Sequence, residues 1–197
     1  EDEWELPEAR RFFEGLAQSH RVVRYDRIGV GLSERELPQP PTVESEARVL
    51  GSVLDEFGDE PATLFACSCA GLATALFARD NPERVRKIVF FGGYAARDDI
   101  PEHTRRSLVD FVRTNWALAS QMLAGLFAPH ASGDEIAALS AHKRRSAKAD
   151  VAAAFLDLDL TSDLREVLPH VHTQALVLHR RGDRAVPISR GRELASL

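Results

Sequence analysis

Short apolar runs alternate along the chain with longer segments in which apolar residues recur at helical spacing. This pattern predicts strands separated by helices. The predicted strands are 21–25, 62–66, 86–91 and 174–179, and the predicted helices are 8–19, 43–57, 70–80 and 188–196. Because the strands are apolar rather than strictly alternating, the pattern is typical of an α/β protein whose parallel sheet is covered by helices on both faces.

Residues with special backbone preferences mark several boundaries of these elements. Thr42 follows a proline-rich loop and is a predicted N-cap, and Gly58 is predicted to close the same helix at the C′ position. The glycine-rich segment 26–33 contains G-x-G but lacks the third glycine of a dinucleotide-binding fingerprint. We therefore interpret this segment as a structural loop rather than a phosphate-binding one.

The stretch from 98 to 168 is predicted to be helical, with one interruption near 128–133. It is too long to be a single crossover between two strands, so we interpret it as a helical lid inserted into the core. The predicted organisation is an N-terminal part of the core at 1–97, the lid at 98–168 and a C-terminal part of the core at 169–197.

Composition narrows the classes of function. The chain has 197 residues and a formal net charge of -5, which indicates one domain and argues against a nucleic-acid partner. No apolar run approaches the roughly 18 residues of a membrane span, so no membrane partner is expected. Cys67 and Cys69 are too close for an unstrained disulfide, and the histidines lack zinc-site spacing. No metal or organic cofactor is implied, and free thiols favour a cytoplasmic location.

The segment LFACSCAGLA places Ser68 between an apolar strand and a helix. That order is typical of a nucleophile elbow, a strained turn that needs small residues two positions before and after the serine. Ala66 and Ala70 occupy those positions. Two alternatives stay open on these residues alone: Cys69 could be a thiol nucleophile, or Ser68 and the cysteines could simply pack at a buried strand end.

Three segments together resemble the α/β-hydrolase fold family over nearly the whole chain. VVRYDRIGVGLS is similar to the strand and loop around that family's fourth strand. ACSCAGLATALFARDNPERVRKIVFFGG resembles its elbow, the helix after it and the next strand, and LVLHRRGDRAVPISRGRELA resembles the segment that carries the triad acid. The greatest similarity is to bacterial hydrolase-like domains found alone or joined to LuxR-type DNA-binding helices or class III adenylate cyclase domains.

The resemblance implies a serine hydrolase acting on a small ester or related acyl compound. Ser68 would attack the acyl carbon and form an acyl-enzyme. The backbone N–H of Cys69 would donate to the oxyanion. Asp183 would be the acid of the triad and would orient a histidine. The cysteine would then act through its amide and not through its thiol.

The family's chain order of serine, aspartate and histidine is incomplete here. No histidine follows Asp183 within the sequence, so we expect the base to lie beyond Leu197 and the chain to be incomplete at both ends. Among the internal histidines, His103 and His130 are the two that a folded lid could bring over Ser68. If 1–197 were the whole protein, exposed sheet edges would favour pairing with a second copy as a homodimer.

The lid is where substrate selection is expected. Most of its large apolar residues are predicted to pack between helices, but Trp116 and Phe127 are candidates for lining an acyl pocket. The basic run KRRS at 143–146 is interpreted as a solvated helix face rather than an anion site.

Two other classes of function are compatible with the sequence. The same fold could bind a small molecule without turning it over, as a ligand-sensing domain of a signalling protein or transcription regulator. A redox sensor that uses Cys67 and Cys69 ranks last, because it requires a thiol with a lowered pKa.

Overall fold

A computed structural model describes Trp4 and residues 6–197. Within that range, three parallel strands lie side by side in chain order, β1 (Ala62–Cys67), β2 (Val85–Phe91) and β3 (Ala175–Leu178). The helices are α1 (Pro7–Ala17), α2 (Val43–Asp55), α3 (Ala70–Asp80), α4 (Glu102–Thr114), α5 (Trp116–Phe127), α6 (Gly133–Ser146), α7 (Ala149–Thr161) and α8 (Ile188–Ser196). Short 3-10 turns occupy Pro82–Arg84 and Leu168–His170. None of the helices in this range is long and apolar enough to cross a membrane.

Most of the predicted elements are confirmed, and their ends move by one or two residues. The prediction of a strand at 21–25 is wrong, because these residues lie outside the sheet of the described chain. A strand exists only through hydrogen bonds to a neighbouring strand, and β1 pairs with β2 alone. The β-branched residues of 21–25 therefore favour an extended backbone, but they do not determine whether a neighbouring strand is there to pair with it.

The start of α2 is confirmed and its end is corrected. Thr42 Oγ1 accepts a hydrogen bond from the Ser45 backbone, and the Ser45 hydroxyl bonds the Thr42 backbone in return. This reciprocal cap satisfies two amides of the first turn. The helix ends at Asp55, before the predicted boundary. Gly58 has a φ of +101° and belongs to the turn that follows.

The two faces of the sheet differ in their covering. Ala66 pairs in register with Phe90, and Phe90 pairs with Val177, so these residues share the face that packs against α2, α3 and α8 in the main core. On the opposite face, Phe12 of α1 lies 5.3 Å from the ring of Phe65. Phe65 itself is nevertheless exposed, and so are the other large residues of that face: Phe91, Leu176 and Leu178. Helices therefore lie on both faces, but the second face is covered only in part, and Cys67 on it is exposed rather than a buried filler.

Helices α4 to α7 form one block between β2 and β3. In this block α4 packs against α7 and α5 packs against α6. A second small core, built from Val109, Val112, Ala119 and Ala153, holds the block together. The predicted break near 128–133 separates α5 from α6 at 128–132, but the expectation of a single interruption is wrong, because the helices also end and restart at Asn115 and at 147–148. Throughout, α4–α7 is called the helical insert.

The loop 26–35 ties the core to the helical insert. Gly31 has a φ of +61°, and its N–H donates to the carbonyl of Ser146 at the end of α6 over 2.8 Å. Asp26 Oδ2 accepts the backbone N–H of Leu32. The interpretation of the glycines as structural is therefore confirmed, and the loop fixes where α6 ends.

A substitution of Gly31 tests this role of the loop. A Cβ at Gly31 would lie 2.2 Å from Asp26 Oδ2, in a backbone conformation that alanine rarely adopts. We expect Gly31→Ala to lower the free energy of unfolding by about 2 kcal/mol. The matched control is Gly15→Ala in α1, where a Cβ has open space, and it should be stabilising by about 0.5–1 kcal/mol. Urea unfolding measures both, and equal effects would contradict the assigned role.

Candidate functional site

Ser68 lies in the turn between β1 and α3 and has a strained backbone. Its φ is +53°, and no other non-glycine residue in the described part of the chain has a positive φ. A left-handed conformation costs an L-residue about 1–2 kcal/mol. Two hydrogen bonds hold the turn: the Ser68 N–H donates to the carbonyl of Phe91 over 2.8 Å, and its carbonyl accepts the N–H of Gly71 over 3.0 Å. The turn is therefore fixed by the pairing of β1 with β2.

Small residues surround this turn because its neighbours are close. Ala66 is 1% exposed in the main core. A Cβ at Gly71 would lie 3.2 Å from the ring of Phe90. Larger side chains at these positions would push α3 away from the sheet. Of the two alanines that the sequence pattern singled out, Ala66 is therefore required to be small, whereas Ala70 is exposed, and the second close contact is at Gly71 instead.

Cys69 is the N-cap residue of α3 and presents its amide at the helix start. Its N–H donates no hydrogen bond to any other described residue. The first amides of a helix lack partners within the helix, and the dipole makes this end positive. An oxyanion formed at Ser68 would therefore meet an unused donor one residue along the chain.

The thiol of Cys69 has the opposite character. Burial raises its pKa to about 11, despite the Arg27 guanidinium, whose Nη1 lies 3.6 Å from Sγ. A thiol with this pKa is almost entirely protonated at neutral pH, whereas thiol nucleophiles and redox sensors require a thiolate. The raised pKa of the Cys69 thiol therefore disfavours both cysteine-based alternatives.

Asp183 lies in the loop after β3, at the same edge of the sheet as Ser68. Its Oδ1 accepts the backbone N–H groups of Ala185 and Val186, each over 2.9 Å. These bonds fix the carboxylate and leave Oδ2 toward Gly92, where a Cβ would lie 3.9 Å away. β2 lies between β1 and β3, so two strand spacings, about 10 Å, separate the ends of β1 and β3. A side chain of imidazole size could bridge Ser68 and Asp183.

The structure brings no described histidine onto Ser68. The Ser68 hydroxyl forms no hydrogen bond with any residue in the described part of the chain. His103 and His130, the two candidates from the lid, are both exposed. His179 Nε2 is 2.9 Å from the carbonyl of Val186, which makes it a support of the Asp183 loop. None of the three histidines is therefore placed as the base in this structure.

A group of charged residues that the sequence analysis missed lies beside the elbow. Arg27 Nε is 2.5 Å from Glu46 Oε2, and the Arg27 guanidinium stacks 3.7 Å from the Phe155 ring. Burial raises the pKa of Asp159 to about 7, against the pull of Arg27. Asp159 Oδ1 is buried without a hydrogen bond. The available signal was a charged residue within an apolar helical stretch, as in the sequence LDLDL that contains Asp159.

The two predicted pocket residues have different surroundings. Trp116 packs in the small core of the helical insert, and its Nε1 donates to the carbonyl of Ala147 over 3.0 Å. Phe127 is 43% exposed, and the Nζ of Lys143 lies 4.2 Å from its ring centroid. The carbonyl of Phe127 accepts a hydrogen bond from Arg180 in the Asp183 loop. Phe127 thus lies toward the candidate site, while Trp116 has the environment of a packing residue.

A cavity of about 550 Å³ lies elsewhere, between the start of α2 and α7. Thr42, Arg113 and Asp157 are among its lining residues, and Ser68, Cys69 and Asp183 are not. The chemistry at the elbow therefore does not depend on this cavity. In the described chain, no three side chains of histidine, cysteine, aspartate or glutamate come together as metal ligands.

Comparisons with known proteins agree with the architecture. Residues 4–166 match the family model described as alpha/beta hydrolase fold. The structure is similar to that of a hydrolase from Oleispira antarctica, with a TM-score of 0.86 at 18% identity over 95% of this chain and 72% of the other. An enol-lactonase from Burkholderia xenovorans LB400 has a TM-score of 0.77 at 21% identity, with 93% and 71% covered. The predicted α/β-hydrolase fold is confirmed.

One curated relative shows closer sequence similarity over a shorter segment. The putative carbamate hydrolase RutD of Azorhizobium caulinodans is 35% identical over 85 residues, which are 43% of this chain. The match spans 32% of the length of that relative. The similarity therefore concerns one segment of the relative and not its whole length.

The strain at Ser68 predicts an unusual response to glycine. Because glycine tolerates a positive φ, we expect Ser68→Gly to be more stable than Ser68→Ala by about 1 kcal/mol. The matched control is Ser52, an exposed residue within α2. There the order should reverse, with glycine less stable than alanine by about 1 kcal/mol. Urea unfolding of the four variants measures this, and the same order at both positions would contradict the strain.

The buried carboxyl of Asp159 predicts a pH-dependent cost in stability. Its pKa is about 7 in the folded protein against a usual value of 3.8. Between these pH values the folded state binds this proton and the unfolded state does not, so the free energy of unfolding falls as pH rises. We expect Asp159→Asn to be more stable than wild type by about 2 to 4 kcal/mol at pH 8. This gain should shrink by more than half at pH 5.

Urea unfolding at the two pH values checks the Asp159 prediction. The control is Asp157→Asn, which changes an exposed residue of the same helix and should alter stability little. A gain from Asp159→Asn that is the same at both pH values would indicate better packing and not relief of a buried charge.

Proposed function

Because the chain belongs to the alpha/beta hydrolase fold family, we propose that it is a serine hydrolase acting on a small ester or related acyl compound. The observation that carries the proposal is the pairing of a strained Ser68, at φ +53°, with the unused N–H of Cys69 at the start of α3. A strained serine beside a free helix-terminal amide is what a nucleophile and an oxyanion hole require.

The proposed reaction has two steps. A general base takes the proton of the Ser68 hydroxyl while Oγ bonds to the acyl carbon, and the carbonyl oxygen becomes an oxyanion held by the Cys69 N–H. The carbon–oxygen bond to the leaving alcohol then breaks, and the alcohol departs with the proton from the base. Water repeats the sequence on the acyl-enzyme, which releases the acid and restores Ser68.

Asp183 is proposed to orient the base. Its carboxylate is held by two backbone amides, and β2 separates it from the elbow. That gap is suited to an imidazole that donates to Asp183 and accepts from Ser68. We propose a histidine in this place, because the Ser68 hydroxyl has no hydrogen-bond partner in the described chain and is free to donate to one.

The substrate class is supported by the environment and by the relatives. The helical insert is proposed to be a lid within 98–168, and Phe127 offers an apolar surface near the Asp183 loop. A carbamate and an enol-lactone, the compounds in the names of two similar proteins, each contain a carbonyl carbon bonded to a heteroatom leaving group. Attack by Ser68 on such a carbon is the chemistry proposed here.

Labelling with a fluorophosphonate, read by peptide mass spectrometry, tests this function. The full-length gene product should be labelled at Ser68, and Ser68→Ala should not be labelled. Cys69→Ser should be labelled at a rate within about threefold of wild type, because the backbone amide and not the thiol is used. Absence of label from folded wild-type protein would overturn the proposal and favour a ligand-sensing domain.

A further inference from the structure

Lys143 is a cation of the helical insert that is turned toward the elbow. It belongs to α6, and its Nζ lies over the ring of Phe127 at 4.2 Å. Phe127 is in turn joined to the Asp183 loop, because its carbonyl accepts a hydrogen bond from Arg180. Arg144 and Arg145 of the basic run 143–146 are exposed, as expected for a solvated face, whereas Lys143 is half-buried against Phe127.

Hydrogen bonds from two directions fix the part of α6 that carries Lys143. Gly31 N–H and Arg35 bind the carbonyl oxygens of Ser146 and Arg145 at the helix end. On the other side, the guanidinium of Arg144 is 2.9 Å from the hydroxyl of Ser120, which is fully buried between α5 and α6. A lysine on a helix held in this way keeps a defined direction, unlike one on a mobile surface segment.

Lys143 has no anionic partner of its own in the described part of the chain. It donates no hydrogen bond and forms no ion pair among those residues, and its only close aromatic contact there is Phe127. Burial lowers its pKa to about 8, so most molecules still carry the charge at neutral pH. Lys143 is half-buried, and ammonium groups that are partly removed from water are normally paired, because loss of hydration penalises an isolated charge.

Two other cations near the elbow already have acidic partners within the protein. Arg27 pairs with Glu46 at 2.5 Å. Arg180 lies 3.7 Å from Asp183 Oδ2. The carboxyl of Asp159 is half protonated at neutral pH, because burial raises its pKa to about 7. Of Arg27, Arg180 and Lys143, only Lys143 has no acidic partner in the described part of the chain, so its charge is left for an incoming molecule.

We propose that Lys143 is a specificity-determining residue that binds an anionic group, such as a carboxylate, on the substrate. This inference deepens the proposed function and rests on it. The substrate would be an acyl compound with its scissile carbonyl at Ser68 and a negative group directed to the helical insert, near Phe127. A charge-assisted hydrogen bond from a desolvated ammonium is strong enough to select such compounds over neutral ones.

The test compares two esters with one leaving group, p-nitrophenyl acetate and the mono-p-nitrophenyl ester of succinate. For the full-length gene product, Lys143→Met should lower kcat/KM for the succinate ester by about 10- to 100-fold, the value of one hydrogen bond to a charged group. The loss should appear mainly in KM. The acetate ester should change by less than about twofold, and Lys143→Arg should keep most of the selectivity for the anion.

The matched control is Lys148→Met, which removes an exposed lysine paired with Glu36 at the start of α7. It should leave the ratio of the two esters unchanged. An equal loss for both esters in Lys143→Met would overturn the proposal and point to a structural or oxyanion role. No change for either ester would overturn it as well.

Failure of this inference is distinguishable from failure of the proposed function. If Ser68 is labelled by the fluorophosphonate but the esters are not distinguished through Lys143, only the anion site is wrong. If the wild-type protein is neither labelled nor active, the anion site can still be tested without catalysis. Isothermal titration calorimetry then measures the binding of succinate and of the neutral succinamide. Succinate should then bind more weakly to Lys143→Met, and equal binding to both proteins would overturn the anion site.

Discussion

The turn at Ser68 depends on the parallel pairing of β1 with β2. The bond from the Ser68 N–H to the carbonyl of Phe91 continues the pairing one residue past the strand. It holds the serine at φ +53°, a backbone conformation that residues other than glycine rarely adopt. Everything proposed for the site follows from this constraint, because the same turn directs the hydroxyl out of the sheet and begins α3 at Cys69.

The surroundings of the turn combine close packing with costly charges. Ala66 and Gly71 let the main core approach the elbow closely. Arg27 connects α2, the elbow and α7 through Glu46, Cys69 and Phe155. Asp159 and Lys143 lie beside this connection in states that burial disfavours. Buried charged groups and a strained backbone both lower the free energy of unfolding, and their occurrence together is typical of functional sites.

Much of the fold is readable from local pattern, because α2, α3 and α8 and the three strands each carry their own periodicity and end signals. That Ser68 and Asp183 lie at one edge of the sheet was also predictable, since both follow parallel strands, and their catalytic roles stay predictions that rest on the family resemblance. The prediction of a strand at 21–25 was wrong because a strand is not a purely local structure. Pairing depends on a neighbouring strand, and no local pattern specifies one.

The charged residues beside the elbow were beyond such analysis. Arg27, Glu46, Asp159 and Lys143 come from a loop and three separate helices, and only Asp159, within the apolar stretch LDLDL, differs from an ordinary surface residue in its own segment. Their burial appears only when the loop 26–35 and the helical insert pack over the elbow. Tertiary packing therefore determined the electrostatics of the site, while local sequence determined the position of the nucleophile candidate.

The most direct test of the account is to trap the acyl-enzyme. The full-length gene product is mixed with p-nitrophenyl acetate, quenched in acid within milliseconds to seconds, and examined by intact-protein and peptide mass spectrometry. The account predicts one added acetyl group, about 42 Da, on the peptide that contains Ser68, and none in Ser68→Ala. Release of p-nitrophenol without an adduct at Ser68, or an adduct that persists in Ser68→Ala, would contradict it.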